Sequence, residues 1–198
     1  MRFIGITGGV GAGKSELLHY IEKEFLAKVL LADELAHELM TPGTACFAQI
    51  QKAFAGEDIY AEDGSFDSVK LALQIFSDPS KRKTINGIVH PAVKREILSR
   101  VEKERERGVY AYFILEAALL VEEGYDKICD ELWYIDADEA LRRSRLKNSR
   151  GYSDQKTDAI LRSQLSEQEY KKHCNVIIEN NGTLKGAFEQ VRKALAQA

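Results

Sequence analysis

A chain of 198 residues has room for one compact core with a small insertion, since single cores stop growing near ~250–300 residues. Its 44% hydrophobic and 30% charged residues exclude intrinsic disorder. With 28 Lys and Arg against 31 Asp and Glu, a net charge of −3 excludes global attraction for nucleic acid or an anionic membrane, so any anion must be bound by local arrangement.

Met1-Arg2 leads directly into a short apolar strand, which leaves no room for a signal peptide. Phe113 to Val121, the longest apolar stretch, contains Glu116 and is too short for a membrane span. Cys46, Cys129 and Cys174 are scattered, without the spacing of a zinc site or a redox pair. These features predict a cytoplasmic protein with free thiols and neither a nucleic-acid nor a membrane partner.

Phe3 to Thr7 is a β-branched and aromatic run ending in glycines, and Leu17, Leu18, Ile21 and Phe25 then recur at helical spacing. Between them Gly8-Gly9-Val10-Gly11-Ala12-Gly13-Lys14-Ser15 fits GxxxxGK[ST] in the strand, loop, helix setting that the motif requires. Glycines let successive backbone N–H groups converge on phosphate oxygens, and the helix N-terminus adds about half a positive charge. Lys14 is placed to reach the β- and γ-phosphates and the Ser15 hydroxyl to ligate Mg²⁺, so the segment is a P-loop for ATP and Mg²⁺.

Val29 to Leu31 is a second strand, followed by Asp33 as the expected N-cap of a helix carrying Leu35, Leu39 and Met40 and stopping near Pro42-Gly43. Thr44 to Gly108 has helical patterning without a strong strand and is too long for a simple crossover, which predicts a helical insertion. Tyr110 to Leu115, Glu131 to Ile135 and Asn175 to Ile178 complete a set of five strands separated by helical patterns, ending in a helix from about Leu184 to Leu195. The expected fold is α/β: a P-loop NTPase three-layer arrangement with a five-stranded parallel sheet, whose core is residues 1–43, 109–139 and 171–198. Residues 140–170, where Arg142, Arg143, Arg145, Lys147 and Arg150 precede Gly151, are the expected lid.

The loop does not name its acceptor. The guanine-reading Asn-Lys-x-Asp pattern of GTPases has no candidate, and the chain is short for a nucleic-acid motor. An insertion plus a basic lid suits a small-molecule kinase, the contrasting class being a non-catalytic ATP-dependent switch. Glu116, at the end of strand three, is the acid such an enzyme keeps to orient the metal's water shell. Asp33, at the end of strand two, stands where a hydroxyl acceptor would need a base.

In order along almost the whole chain, Ile6 to Ser15, Ala32-Asp33-Glu34-Leu35-Ala36, Ile75-Phe76-Ser77-Asp78-Pro79 with His90-Pro91, Leu119-Leu120-Val121-Glu122, Gln164 and Val176 to Gly182 together resemble the dephospho-CoA kinase family. That resemblance implies ATP-dependent phosphorylation of the ribose 3′-hydroxyl of dephospho-CoA. It implies Lys14, Asp33 and Arg145 as catalytic, with Arg142 and Arg150 as further lid arginines. It also implies His90 and Leu120 as acceptor contacts and Asn180 and Gly182 as bordering the adenine. The sequence departs from the family pattern at Leu31 in place of an acid, Ala118 in place of a proline and Glu179 in place of a shorter acid. All three fall on the acceptor side, which leaves a related kinase with another hydroxyl acceptor as the alternative.

Overall fold

β1 (Arg2–Thr7) is buried from Phe3 onward, which a strand tolerates only with apolar residues on both faces. In the computed structural model, which describes residues 1–196, it is the central strand of a five-stranded sheet. With β2 (Ala27–Leu31), β3 (Tyr112–Glu116), β4 (Glu131–Asp136) and β5 (Val176–Glu179) the order is β2-β3-β1-β4-β5. β1 pairs in parallel with β3 and β4, and β4 with β5. The chain leaves β1 for β2, beyond β3, and returns through β3 to β4 on the other side. The carboxyl end of β1 is therefore a topological switch point, where open α/β sheets bind ligands.

The chain forms two compact units: Met1–Leu30 with the chain from Arg107 onward, and Leu31–Glu106. In the first, Trp133 is fully buried, with its indole N–H donating to Glu131 Oε2 at 2.8 Å, and Phe3 meets Phe113 edge to face at 5.6 Å. Its helices are α1 (Lys14–Glu24), α6 (Glu139–Arg150), α7 (Asp154–Arg162), α8 (Glu167–His173) and α9 (Leu184–Ala196). Gly151 ends α6 at φ 62°, and Ser153 and Ser166 cap α7 and α8 through the N–H groups of Lys156 and Glu169.

The second unit holds α2 (Ala32–Leu39), α3 (Ala45–Ala53), α4 (Ser68–Ser77) and most of α5 (Pro79–Arg107). Cys46, Ile50, Phe54, Ile59, Leu71 and Ile85 form its core, and Phe47 stacks on Phe66 at 4.4 Å. Thr44 and Asp67 cap α3 and α4. A cavity of about 310 Å³ lies among Leu39, Cys46, Gln49, Ala92 and Arg95.

Two local expectations are corrected. α2 starts at Ala32 with Leu31 as its N-cap residue, so Asp33 is not the cap; it lies inside the first turn, where a carboxylate is favoured by the helix dipole. The third strand begins at Tyr112 because the N–H groups of Ala111 and Tyr112 both turn to Leu26 O. His90-Pro91 does not break α5, which continues through it. The carbonyl deprived of its donor there belongs to Gly87, whose backbone can yield. Among the described residues no helix is long and apolar enough to cross a membrane.

Candidate active site

The P-loop leaves the carboxyl end of β1 and enters α1 at Lys14, with no side chain capping the helix. Its shape depends on particular glycines. Gly11 and Gly13 have φ of 84° and 90°, and a Cβ on them would meet Arg142 O at 2.9 Å and Asn180 Nδ2 at 2.4 Å. A Cβ on Gly9 would fall 2.1 Å from Arg142 Nη2, so the guanidinium lies directly on the loop.

Asn180, 1% exposed, donates from Nδ2 to Ala12 O at 2.7 Å, and Arg145 Nη1 donates to the same carbonyl at 3.1 Å. Arg145 Nη2 donates to Asn180 O at 3.1 Å. With the Ala12 carbonyl pulled toward these donors, the trans peptide turns the Gly13 N–H the opposite way, away from them. Thus Asn180 and Arg145 brace the loop from behind. Asn180 Oδ1 is buried without a hydrogen-bond partner. The opposite amide orientation would set that oxygen against the Ala12 carbonyl, which is worse.

Arg142 approaches differently. Its Nε donates to Val10 O at 3.0 Å and its Nη2 donates to Gln164 Oε1. The remaining guanidinium N–H groups stay available. Gln164 Oε1 also accepts from the Val10 N–H at 3.3 Å. Sequence reading places Gln164 in the lid but assigns it no contact; only the fold shows that it reaches the loop. Arg143 does not reach toward the loop in any hydrogen bond or ion pair among the described residues; it pairs with Glu139 at 2.8 Å and Asp158 at 2.6 Å and ties α6 to α7. Exposed Arg150 lies 6.0 Å from the Tyr152 ring centroid.

Lys14 Nζ donates to Gly8 O at 2.7 Å and stands 3.4 Å from Glu116 Oε1, with their side chains only 14% and 17% exposed. Glu116 is the last residue of β3, level with Ile6, and so is carried to the mouth of the loop by strand register. Ser15, the second residue of α1, is exposed. The first unit therefore brings together Gly8 to Ser15, Glu116, Arg142, Arg145, Gln164 and Asn180.

The other expected residues have the following surroundings. Leu120 is fully buried, its Cδ1 3.0 Å from where a Cβ on Gly5 would sit, and offers no exposed surface. Gly182 is exposed with open space where its Cβ would be. Asp33 and His90 belong to the Leu31–Glu106 unit. Asp33 is exposed, its carboxylate engaged by no hydrogen bond or ion pair among the described residues, while its carbonyl oxygen meets His37 Nδ1 at 2.6 Å. His90 is half-buried on α5.

The dephospho-CoA kinase family model (CoaE) matches residues 2–186 of the chain. A dephospho-CoA kinase from Shouchella clausii is 35% identical over 194 residues, covering 98% of this chain and 97% of its own. A crystal structure of a Thermus thermophilus protein superposes with a TM-score of 0.82 at 27% identity, covering 98% of this chain and 96% of that one. The dephospho-CoA kinase from Campylobacter jejuni shares the fold, with a TM-score of 0.73 at 20% identity over 100% of this chain and 97% of its own.

Proposed function

The chain belongs to the dephospho-CoA kinase family, and from that premise we propose that it transfers the γ-phosphoryl group of ATP to the ribose 3′-hydroxyl of dephospho-CoA, giving coenzyme A. The observation that carries this reading is a phosphate loop braced by Asn180 and Arg145 and overlaid by a lid arginine, in a chain matched to the family along nearly its whole length. Reduced thiols, all three free, fit work in the cytoplasm.

The acceptor oxygen attacks the γ-phosphorus as the bond to the β,γ-bridging oxygen breaks, and ADP leaves. Such a transfer asks the protein for position and charge more than for covalent chemistry. Lys14 supplies a point charge at the loop, and Arg142, with donors uncommitted, places a guanidinium over its first half. Arg145 and Asn180 serve the same end through the loop, by keeping its N–H groups turned to the phosphates. Residues 140–170 act as the lid that carries the two arginines.

The donor set fits Mg²⁺. An exposed Ser15 hydroxyl and one nearby carboxylate, Glu116, suit an ion that keeps most of its water and takes its other ligands from phosphate. No cluster of three His, Cys, Asp or Glu suited to a metal occurs among the described residues. Ser15 would hold the ion and Glu116 its water shell; bound there, it supplies charge neutralisation between the phosphates.

The helical unit receives the acceptor, its cavity of about 310 Å³ being at the small end of the ~300–1,000 Å³ of ligand pockets. Asp33, unencumbered by capping, accepts or orients the proton of the attacking hydroxyl. His90 contributes from α5, and Leu120, having no exposed surface, shapes the turn after β3. The test is ATP-dependent phosphorylation of dephospho-CoA, adenosine and common nucleosides, followed by ADP release and phosphate stoichiometry. Dephospho-CoA alone should give one phosphate per acceptor. Turnover of another hydroxyl acceptor with none on dephospho-CoA would give the site to that acceptor, and ADP release with no acceptor phosphorylated would end the kinase reading.

A further inference from the structure

Gln164 stands in the short turn between α7 and α8, and both sides of that turn are pinned. Its own N–H donates to Leu161 O at 3.3 Å, closing α7, and Ser166 caps α8 two residues later. The backbone thus fixes where the side chain leaves. Half-buried, that side chain reaches the phosphate loop across 154 residues of sequence and accepts the Val10 N–H at 3.3 Å. The same oxygen accepts from Arg142 Nη2, while Arg142 Nε donates to the Val10 carbonyl at 3.0 Å.

Both polar groups of Val10 are therefore taken by the lid, one by Gln164 and one by Arg142, and the two lid side chains are tied to each other. The amide orientation follows from the network, since two donors converge on one atom and an NH₂ group there would oppose both. A guanidinium held at two of its nitrogens has lost most of its rotamer freedom before any substrate arrives, and such preorganisation is what a transferring phosphoryl group requires.

We propose that Gln164 is a positioning residue of the transfer reaction: its amide oxygen docks the α7–α8 turn on Val10 of the phosphate loop and fixes the Arg142 guanidinium for the triphosphate. It acts through Arg142, as a turn-borne acceptor between loop and lid, and rests on the phosphotransfer reading given above. Any residue of like size would fill the space, whereas only an acceptor at this atom would hold both donors.

The experiment is a double-mutant cycle of Gln164→Leu and Arg142→Ala, read as kcat, KM for ATP and melting temperature, with amide exchange at Val10 in the nucleotide-free protein. Leucine keeps most of the bulk and removes the acceptor. The expected result for Gln164→Leu is a fall in kcat of about tenfold or more, with KM for ATP within about twofold, since misplacement of a charged group acts on the transition state more than on ground-state binding. Val10 exchange should quicken, and the double variant should be no slower than Arg142→Ala alone, because the residues act as one unit. Unchanged kcat, or losses that simply multiply in the double variant, would overturn the proposal. Val10 exchange needs no acceptor, so if dephospho-CoA proves not to be phosphorylated by the wild type, the docking contact is still decided: unchanged exchange in Gln164→Leu overturns it.

Discussion

Removing Lys14 would change stability by less than ~0.5 kcal/mol if its side chain stood free in solvent. The fold places it instead between the Gly8 carbonyl and Glu116, with 14% of its side chain exposed. Lys14→Ala should therefore abolish phosphotransfer at saturating ATP and also lower stability by about 1 kcal/mol or more, the scale of a hydrogen bond from a charged donor; turnover assays and chemical denaturation check the two effects separately. Asp33 is the reverse case. Because Leu31 and not Asp33 occupies the cap position, Asp33→Asn leaves the start of α2 almost untouched and removes only the charge. Its kcat should fall by about a hundredfold or more, the contribution of a positioned base, with KM for ATP and melting temperature nearly unchanged. A fall below about tenfold would remove Asp33 from the chemistry, since even the low end of general-base catalysis exceeds that.

The loop glycines are not equivalent elements of the P-loop, and their differences can be ranked. Gly9 has an ordinary backbone conformation, and the nearest atoms to its added Cβ would be the far end of the Arg142 side chain, which can move once its bonds to Val10 and Gln164 are given up. Gly11 has φ of 84° and would press on the Arg142 backbone carbonyl, which cannot. Gly9→Ala should thus keep the melting temperature while lowering kcat through a displaced guanidinium. Gly11→Ala should lose both, since left-handed backbone costs a side chain about 1–2 kcal/mol before any clash is relieved. Thermal unfolding beside kcat separates them, and equal behaviour of the two variants would refute the ranking. The loop, all five strands and the acid at the end of β3 were legible in the sequence because each is a local pattern of period or composition. What escaped was long-range: that Gln164 lies against Val10 and that Arg145 and Asn180 brace one carbonyl. Neither of these leaves a periodic signal, as each depends on which turns are brought together by sheet order. Asp33 misled for a local reason, since a carboxylate is favoured both at the cap and in the first turn.

For the molecule as a whole, the odd set of thiols has a consequence for its tolerance of alkali. Burial pushes the Cys129 thiol up to about 12, helped by the nearby charges of Asp130 and Asp126, and burial alone pushes Cys174 to about 12. The Tyr134 phenol is also raised to about 12, chiefly by burial and then by Asp136. In each case the folded protein holds its proton at a pH where the unfolded chain has released it. The unfolded state then binds fewer protons, so folding stability declines with rising pH. For the two thiols the stabilisation is complete below the ordinary value of 9.0 and is lost progressively as pH climbs toward about 12. Between neutral pH and that threshold these half-buried thiols stay protonated, the form that is a poor nucleophile. Chemical denaturation at intervals from pH 8 to 11 should show little contribution from these groups at the lower end and a steepening loss at the upper. A Cys129→Ala, Cys174→Ala double variant should start less stable, from the lost packing, yet decline more gently above pH 9, with Tyr134 and Tyr125, whose phenol burial likewise raises to about 12, contributing to the slope that remains. If the double variant declined as steeply as the parent, the two thiols would not be what makes the fold sensitive to alkali, and the buried tyrosines and the loss of charge from its lysines would have to account for it.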